Sequence, residues 1–274
     1  MFSGLLSIPQ AVLLGIVEGI TEFLPVSSTG HLLVVGELIG FGTGSSSTAA
    51  DTYSIAIQFG AILALLLLYR IRVWSVMKSL VGADADGRAF LIRLVVAFLP
   101  AALIGVVAGD AMKSALFGPV PVTIAWLFGG VFLLWWKPNV GSVLLQDMPI
   151  RAAFIIGCAQ SLALWPGVSR SLVTLVAALA VGLSMSAAIE FSFLLGLITL
   201  SSATALDLTK HGSELVDQFG ILAPSVGLVC AFITAVIAVK WMVGYLESHS
   251  LRVFGWYRLG IGAVSVVLLA TNVL

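Results

Sequence analysis

The amino-acid sequence predicts an all-α polytopic membrane protein, with six transmembrane helices plus two re-entrant helix-loop-helix hairpins in an inverted-topology repeat. Three observations predict it. Of 274 residues, 60% are hydrophobic and 9% charged, against roughly a quarter charged in an ordinary soluble domain. Six apolar stretches reach or approach the ~20 residues that a helix needs to cross a bilayer. Two further apolar segments are interrupted near their middle by Pro, Ser and polar residues, and these two align with each other at a nearly constant offset.

The elements follow in order. The first broken segment covers 8–38 and is interrupted at LPVSSTGH; spans at 53–70, 88–108 and 117–136 come next. The second broken segment covers 150–183, interrupted at WPGVSRS, and spans at 187–206, 219–241 and 253–272 complete the chain. Irregular backbone at membrane depth is tolerated only where protein or a watery cavity surrounds it. Each broken segment is therefore read as a re-entrant hairpin, and each tip as a site. The opening MFSGLLSIPQ has no basic n-region, which argues against a removed signal peptide. Cys158 and Cys230 both lie inside apolar runs, where a thiol packs as a small hydrophobe rather than as half of a disulfide framework.

Cytoplasmic loops collect Lys and Arg. Arg70, Arg72, Lys78 and Arg88 flank the first connection, Lys137 and Arg151 the third, and Lys240, Arg252 and Arg258 the fifth. The second and fourth hold only Lys113 and Lys210, so the odd-numbered connections are assigned to the cytoplasm. Aligning GIVEGITEFLPVSSTG with GCAQSLALWPGVSRS pairs Gly15 with Gly157, Glu18 with Gln160 and Ser27 with Ser169, each 142 residues apart. One hairpin plus three spans is an odd number of crossings, so the second half, 149–274, should sit upside down relative to the first, 1–138. The two tips would then meet near the midplane.

Net charge is formally zero, with 13 basic and 13 acidic residues. No basic field exists that could hold nucleic acid by its phosphates. Ionisable groups inside a membrane are expensive, so each is a functional hypothesis. Glu18 and Glu22, spaced i, i+4, place two carboxylates on one helix face, where they can share a proton or a divalent cation. Ser27-Ser28-Thr29-Gly30-His31 puts hydroxyls, a glycine and an imidazole at a helix start, where backbone N–H groups attract anions and Gly30 allows close approach. Ser27 could attack with His31 as its base, or His31 could attack directly or protonate a leaving group. The second tip carries Arg170, read as the only arginine deep within an apolar segment; its planar fork suits bidentate phosphate binding, with Gly167, Ser169, Ser171 and Thr174 around it. Arg170 could equally form an internal salt bridge to Glu18, Glu22 or Glu190. Together the tips suit phosphoryl transfer on a phosphate whose lipid chain stays in the bilayer.

At these residues the chain resembles the undecaprenyl-diphosphate phosphatase family, also called the bacitracin-resistance family, over nearly its full length. Three blocks carry the resemblance: EGITEFLPVSSTGH at 18–31, LALWPGVSRSLVT at 162–174, and EFSFLL with SSATALDL within 190–208. The resemblance implies hydrolysis of undecaprenyl diphosphate to the monophosphate, recycling the carrier for cell-wall synthesis, with a divalent cation such as Mg²⁺ or Ca²⁺. It places the activity at the outer face of the bacterial plasma membrane. It makes Glu18 and Glu22 the metal or acid-base pair, Ser27 and His31 the nucleophile candidates, and Arg170 with Ser169, Ser171 and Thr174 the phosphate clamp. Ser28, Thr29, Gly30, Gly167, Gln160 and Glu190 complete the expected head-group site. Typical members have an acidic residue six positions before the glycine of their IQxG-like segment; here that position is Ser54, and Asp51 is the nearest carboxylate upstream. A carrier that binds the same head group without cleaving it is the alternative reading, and a homodimer is one candidate assembly.

Overall fold

The computed structural model describes residues 6–41, 47–138 and 140–274, and leaves the side chains of 47–49, 110 and 113 undescribed. The reading of residues 1–5 as lacking a leader, and the side chain of Lys113 used for sidedness, lie outside the described residues. Those residues form eleven α-helices: α1 Ile8–Thr21, α2 Ser28–Leu38, α3 Ser47–Leu68, α4 Arg70–Ser79, α5 Ala85–Leu116, α6 Pro119–Trp135, α7 Ile150–Gln160, α8 Arg170–Ala180, α9 Met185–Phe219, α10 Leu222–Leu246 and α11 Arg252–Ala270. A 3₁₀ turn, Ser161–Leu164, extends α7 toward the second tip.

Five segments are long and apolar enough to cross a membrane: Ala50–Leu68, Ala85–Gly109, Met185–Phe219, Leu222–Leu246 and Arg252–Ala270. The expected sixth, at 117–136, is an apolar helix of 17 residues, Pro119–Trp135, at the short end of what spans a bilayer. The fourth expected span, 187–206, is instead part of a 35-residue helix, because α9 runs on through the polar stretch Asp207–Asp217. Both broken segments fold as pairs of short helices. α1 and α2 have 14 and 11 residues, α7 and α8 have 11 each, and the breaks fall at 22–27 and 161–169.

Local chemistry explains the ends. Ser7 and Gln10 form a reciprocal capping box on α1, with Pro9 in its first turn. Ser27 caps α2 by accepting the Gly30 N–H, and Ser169 caps α8 by accepting the Leu172 N–H. Both serines hold left-handed backbone, φ 73° and 78°, a conformation that costs a non-glycine residue free energy and clusters at functional sites. In the connection before α5, Asp84 accepts the Gly87 N–H and the Ser75 hydroxyl, which hold its carboxyl below the usual carboxylate range.

Packing brings the breaks together. α10 lies against both α1 and α3, α6 against α11, and α5 against α7. Close approach of α1 to α10 needs small residues: a Cβ at Gly15 would collide with the Gly227 carbonyl, and one at Gly19 with the Ala231 carbonyl. One sidedness assignment is corrected. Arg258 is not a loop cation of the fifth connection but a side chain with 0% exposure inside α11, and so Arg170 is not the only arginine at depth. Four backbone carbonyls accept from its guanidinium, so it has no reason to extend toward the aqueous boundary.

Candidate active site

The two tips touch through hydrogen bonds. The Gly167 N–H donates to Ser27 Oγ at 3.1 Å, and the Ser171 hydroxyl donates to the Leu24 carbonyl at 2.8 Å. Arg170 Nη2 donates to Glu22 Oε1 at 3.1 Å, and the Ser28 hydroxyl donates to Glu22 Oε2. Arg170 and Glu22 side chains are only 10% and 6% exposed, so this pair is largely shielded from water and screened far less than a surface pair. Arg170 Nη1 also donates to the Ser192 carbonyl at 3.2 Å, and its guanidinium lies over the Phe23 ring. The guanidinium fills the space beside Gly196 of α9, where any Cβ would collide with it.

Against the tips lies a polar cavity of about 160 Å³. Glu22, Ser27, Ser28 and Thr29 wall it from the first tip, and Gln160, Ser169 and Arg170 from the second. Two buried donors of these lining residues, Arg170 Nε and Gln160 Nε2, have no partner among the described residues. Leaving a buried donor unpaired costs about 1–3 kcal/mol, which an acceptor-rich group drawn up against these atoms would offset. Ser27 Oγ already receives the Gly30 and Gly167 N–H groups. Two donors on one hydroxyl oxygen stabilise negative charge that develops there when its proton leaves.

The remaining expected residues stand around this wall rather than on it. Ser171 and Thr174 are buried and hold backbone: Ser171 ties to Leu24, and Thr174 to the Arg170 carbonyl and the Ser192 hydroxyl. Glu18 is fully buried, and neither carboxylate oxygen has a hydrogen-bond partner among the described residues. His31 is buried with both ring nitrogens engaged. Nδ1 lies 2.6 Å from the Ser27 carbonyl, which can only accept, so Nδ1 carries the proton in the neutral ring. Nε2 then accepts from the Tyr257 hydroxyl at 2.8 Å. Neither nitrogen is bonded to Ser27 Oγ, so the geometry offers His31 as a support of the Ser27 backbone rather than as its base. Glu190 stands apart from the cavity: Arg72 donates to it at 2.7 Å beside a separate polar pocket that also contains Arg70, Asp84 and Lys240. Ser54 donates to the Ala50 carbonyl and lines another pocket with Glu37 and Asp51.

Sequence reasoning missed several groups. Gln58 of α3 and Thr199 of α9 wall the cavity, and Thr199 donates to Gln160 Oε1 at 3.3 Å. Gln58 stood in the IQFG segment already compared with the family, and that was its signal. Tyr257 and Arg258 had one too: an adjacent polar pair inside an apolar span.

Residues 11–264 match the bacitracin resistance protein BacA family. The undecaprenyl-diphosphatase of Nitrosomonas europaea is 42% identical over 259 residues, covering 93% of this chain and 92% of that protein. That of Rhodopseudomonas palustris (strain HaA2) is 43% identical over 267 residues, covering 95% and 97%. That of Sorangium cellulosum (strain So ce56) is 43% identical over 262 residues, covering 93% and 84%. With this match extending across both tips and nearly all helices between and beyond them, the chain belongs to the bacitracin resistance protein BacA family.

Proposed function

We propose that this protein hydrolyses undecaprenyl diphosphate to undecaprenyl phosphate and inorganic phosphate, using the cavity between the two tips. One observation carries the reading: a guanidinium from the second tip and a carboxylate and hydroxyls from the first share one small polar cavity within an otherwise apolar helical protein. The departing group is a phosphate monoester, already a good leaving group, so charge neutralisation and positioning matter more than protonation. Arg170 and the Gln160 amide hold the terminal phosphate oxygens. Ser27 Oγ attacks the terminal phosphorus and passes its proton to a substrate phosphate oxygen. The bond to the bridging oxygen breaks with its electrons leaving on undecaprenyl phosphate, and water then cleaves the phosphoserine P–O bond, returning a proton to Ser27 Oγ. The names of the similar proteins supply the substrate.

A divalent cation, Mg²⁺ or Ca²⁺, would be held by Glu18, whose buried oxygens lack partners among the described residues, with Glu22 one turn on. Such ions are commonly held by one or two carboxylates plus substrate phosphates, and when bound the cation would neutralise diphosphate oxygens. The same reading counts Pro119–Trp135 as a sixth span and the two short-helix pairs as re-entrant hairpins. It treats 1–138 and 149–274 as inverted halves, supported by the matched left-handed backbone at Ser27 and Ser169 (169 − 27 = 142). It places the protein in the bacterial plasma membrane with its cavity opening outward.

Purified protein in detergent with Mg²⁺ should release phosphate from undecaprenyl diphosphate, and no release by wild type ends the reading. The carboxylates must be ionised to hold a cation, so activity should be present at neutral pH and fall as they protonate on acidification. A rate that stays flat through acid pH would remove them from the reaction. Tyr257→Phe deletes one hydrogen bond to His31, worth about 1 kcal/mol, so kcat should fall by about fivefold. Steady-state phosphate release checks this, and an unchanged kcat would show that His31 Nε2 needs no partner.

A further inference from the structure

We propose that Arg258 is a positioning residue: its buried guanidinium holds the peptide groups of both tips in register, so that Ser27 and Arg170 face one phosphate. The proposal rests on the phosphatase reading for its catalytic consequence, and on geometry alone for its structural one.

Arg258 has 0% exposure, and among the described residues no carboxylate pairs with it. Four hydrogen bonds from its guanidinium all go to carbonyls, from three different segments. Nη1 donates to Pro25 O at 3.3 Å and Val168 O at 3.2 Å; Nη2 donates to Gly167 O at 2.7 Å and Ala125 O at 2.8 Å. Pro25 belongs to the first tip, Gly167 and Val168 to the second, and Ala125 to α6. A buried cation without a counter-ion is costly unless dipoles replace the lost water, and four carbonyls supply them.

The acceptors sit at the positions that aim the reactive groups. Pro25 lies two residues before Ser27. Gly167, whose carbonyl Arg258 holds, donates its own N–H to Ser27 Oγ. The Val168 carbonyl belongs to the peptide that enters the left-handed Ser169, after which Arg170 opens α8. One planar group therefore spans the backbone on either side of the contact between the tips. A lysine ammonium could not, because its three donors leave a single point rather than a flat fork. The fold also makes room for that fork. Gly129 of α6 faces it, and a Cβ there would meet the guanidinium, with Cζ and Nε only 2.7 Å away.

The test uses full-length protein in detergent, with Arg258→Gln, Arg258→Lys and Gly129→Ala. The last keeps the charge but displaces the fork. Hydrogen exchange followed by mass spectrometry should show faster exchange in peptides covering both 22–28 and 165–170 for Arg258→Gln. With tip geometry loosened, kcat for phosphate release should fall about a hundredfold, the scale of a misplacement of about 1 Å. KM should move much less, and Arg258→Lys and Gly129→Ala should show the same split at smaller size. Added guanidinium, at matched ionic strength against NaCl, should restore part of the kcat of Arg258→Gln. Exchange unchanged at either tip overturns the proposal, as does wild-type kcat despite faster exchange. A fall in thermal stability with kcat per folded molecule unchanged overturns it too, since the arginine would then serve folding only. If wild type releases no phosphate, the phosphatase reading fails, and the exchange experiment alone still decides whether Arg258 holds the tips.

Discussion

Arg170→Ala is expected to lower kcat/KM for phosphate release by about 10³-fold or more, the largest effect of any single substitution in the cavity. Removing a guanidinium that meets phosphoryl charge costs on the order of 10³ to 10⁵ in rate, and 10³ corresponds to about 4 kcal/mol. Three features of this arginine put it in that range. It is 10% exposed, its Nε has no partner among the described residues, and it walls the cavity together with Ser27. A competing explanation must be separated, because truncation also leaves Glu22 buried with only the Ser28 hydroxyl on its carboxylate. Breaking a buried pair from one side costs about 3–5 kcal/mol of stability, so the variant should also melt lower. Arg170→Lys keeps a charge near Glu22 and should recover much of the melting temperature. It should recover little of the rate, since an ammonium cannot replace a bidentate fork. Rates and melting curves on both variants check this. If Arg170→Lys recovers rate and stability in parallel, the arginine is a structural partner of Glu22, and the phosphate clamp must lie elsewhere.

The contrast between Arg170 and Arg258 shows what the sequence could reveal. Both are arginines in apolar stretches, yet only Arg170 sits among Ser, Gly and Pro, where local sequence already signals a break. Arg258 lies six residues into an otherwise ordinary span, where a cation that extends to the membrane boundary reads the same as one turned inward. Its acceptors are 90 to 233 residues away in sequence, and no local pattern encodes them. The partners of His31 stay hidden for the same reason. Its neighbour Ser27 suggested a base, but the Tyr257 hydroxyl that fixes the ring's proton arrives from 226 residues away. Glu190 shares a helix with cavity residues Thr199 and Leu200 but pairs with Arg72 on α4, an element hidden in sequence because its mixed residues lack a clean apolar stripe. What composition and breaks do encode is the helical membrane class and the two tips, because apolar length and loss of helical continuity are local properties.

Ser27 gives the second large effect, and its backbone makes the experiment unusually clean. If Oγ attacks phosphorus, Ser27→Ala and Ser27→Gly should each lose about 10³-fold or more in kcat, because a covalent route disappears with the hydroxyl. Stability should separate the two. Ser27 sits at φ 73°, where a Cβ costs on the order of 1–2 kcal/mol and glycine pays no such penalty. Alanine keeps that strain and loses the cap to Gly30, worth about 1 kcal/mol. Glycine loses the cap's side chain but sheds the strain, so it should melt above alanine and near wild type. A variant that folds as well as wild type while its turnover collapses cannot be explained by damage to the tip. The opposite result is equally informative: if Ser27→Gly stays within about tenfold of wild type, the attacking oxygen is water. The Gly30 and Gly167 N–H groups that now meet Oγ would then serve to bind phosphate directly.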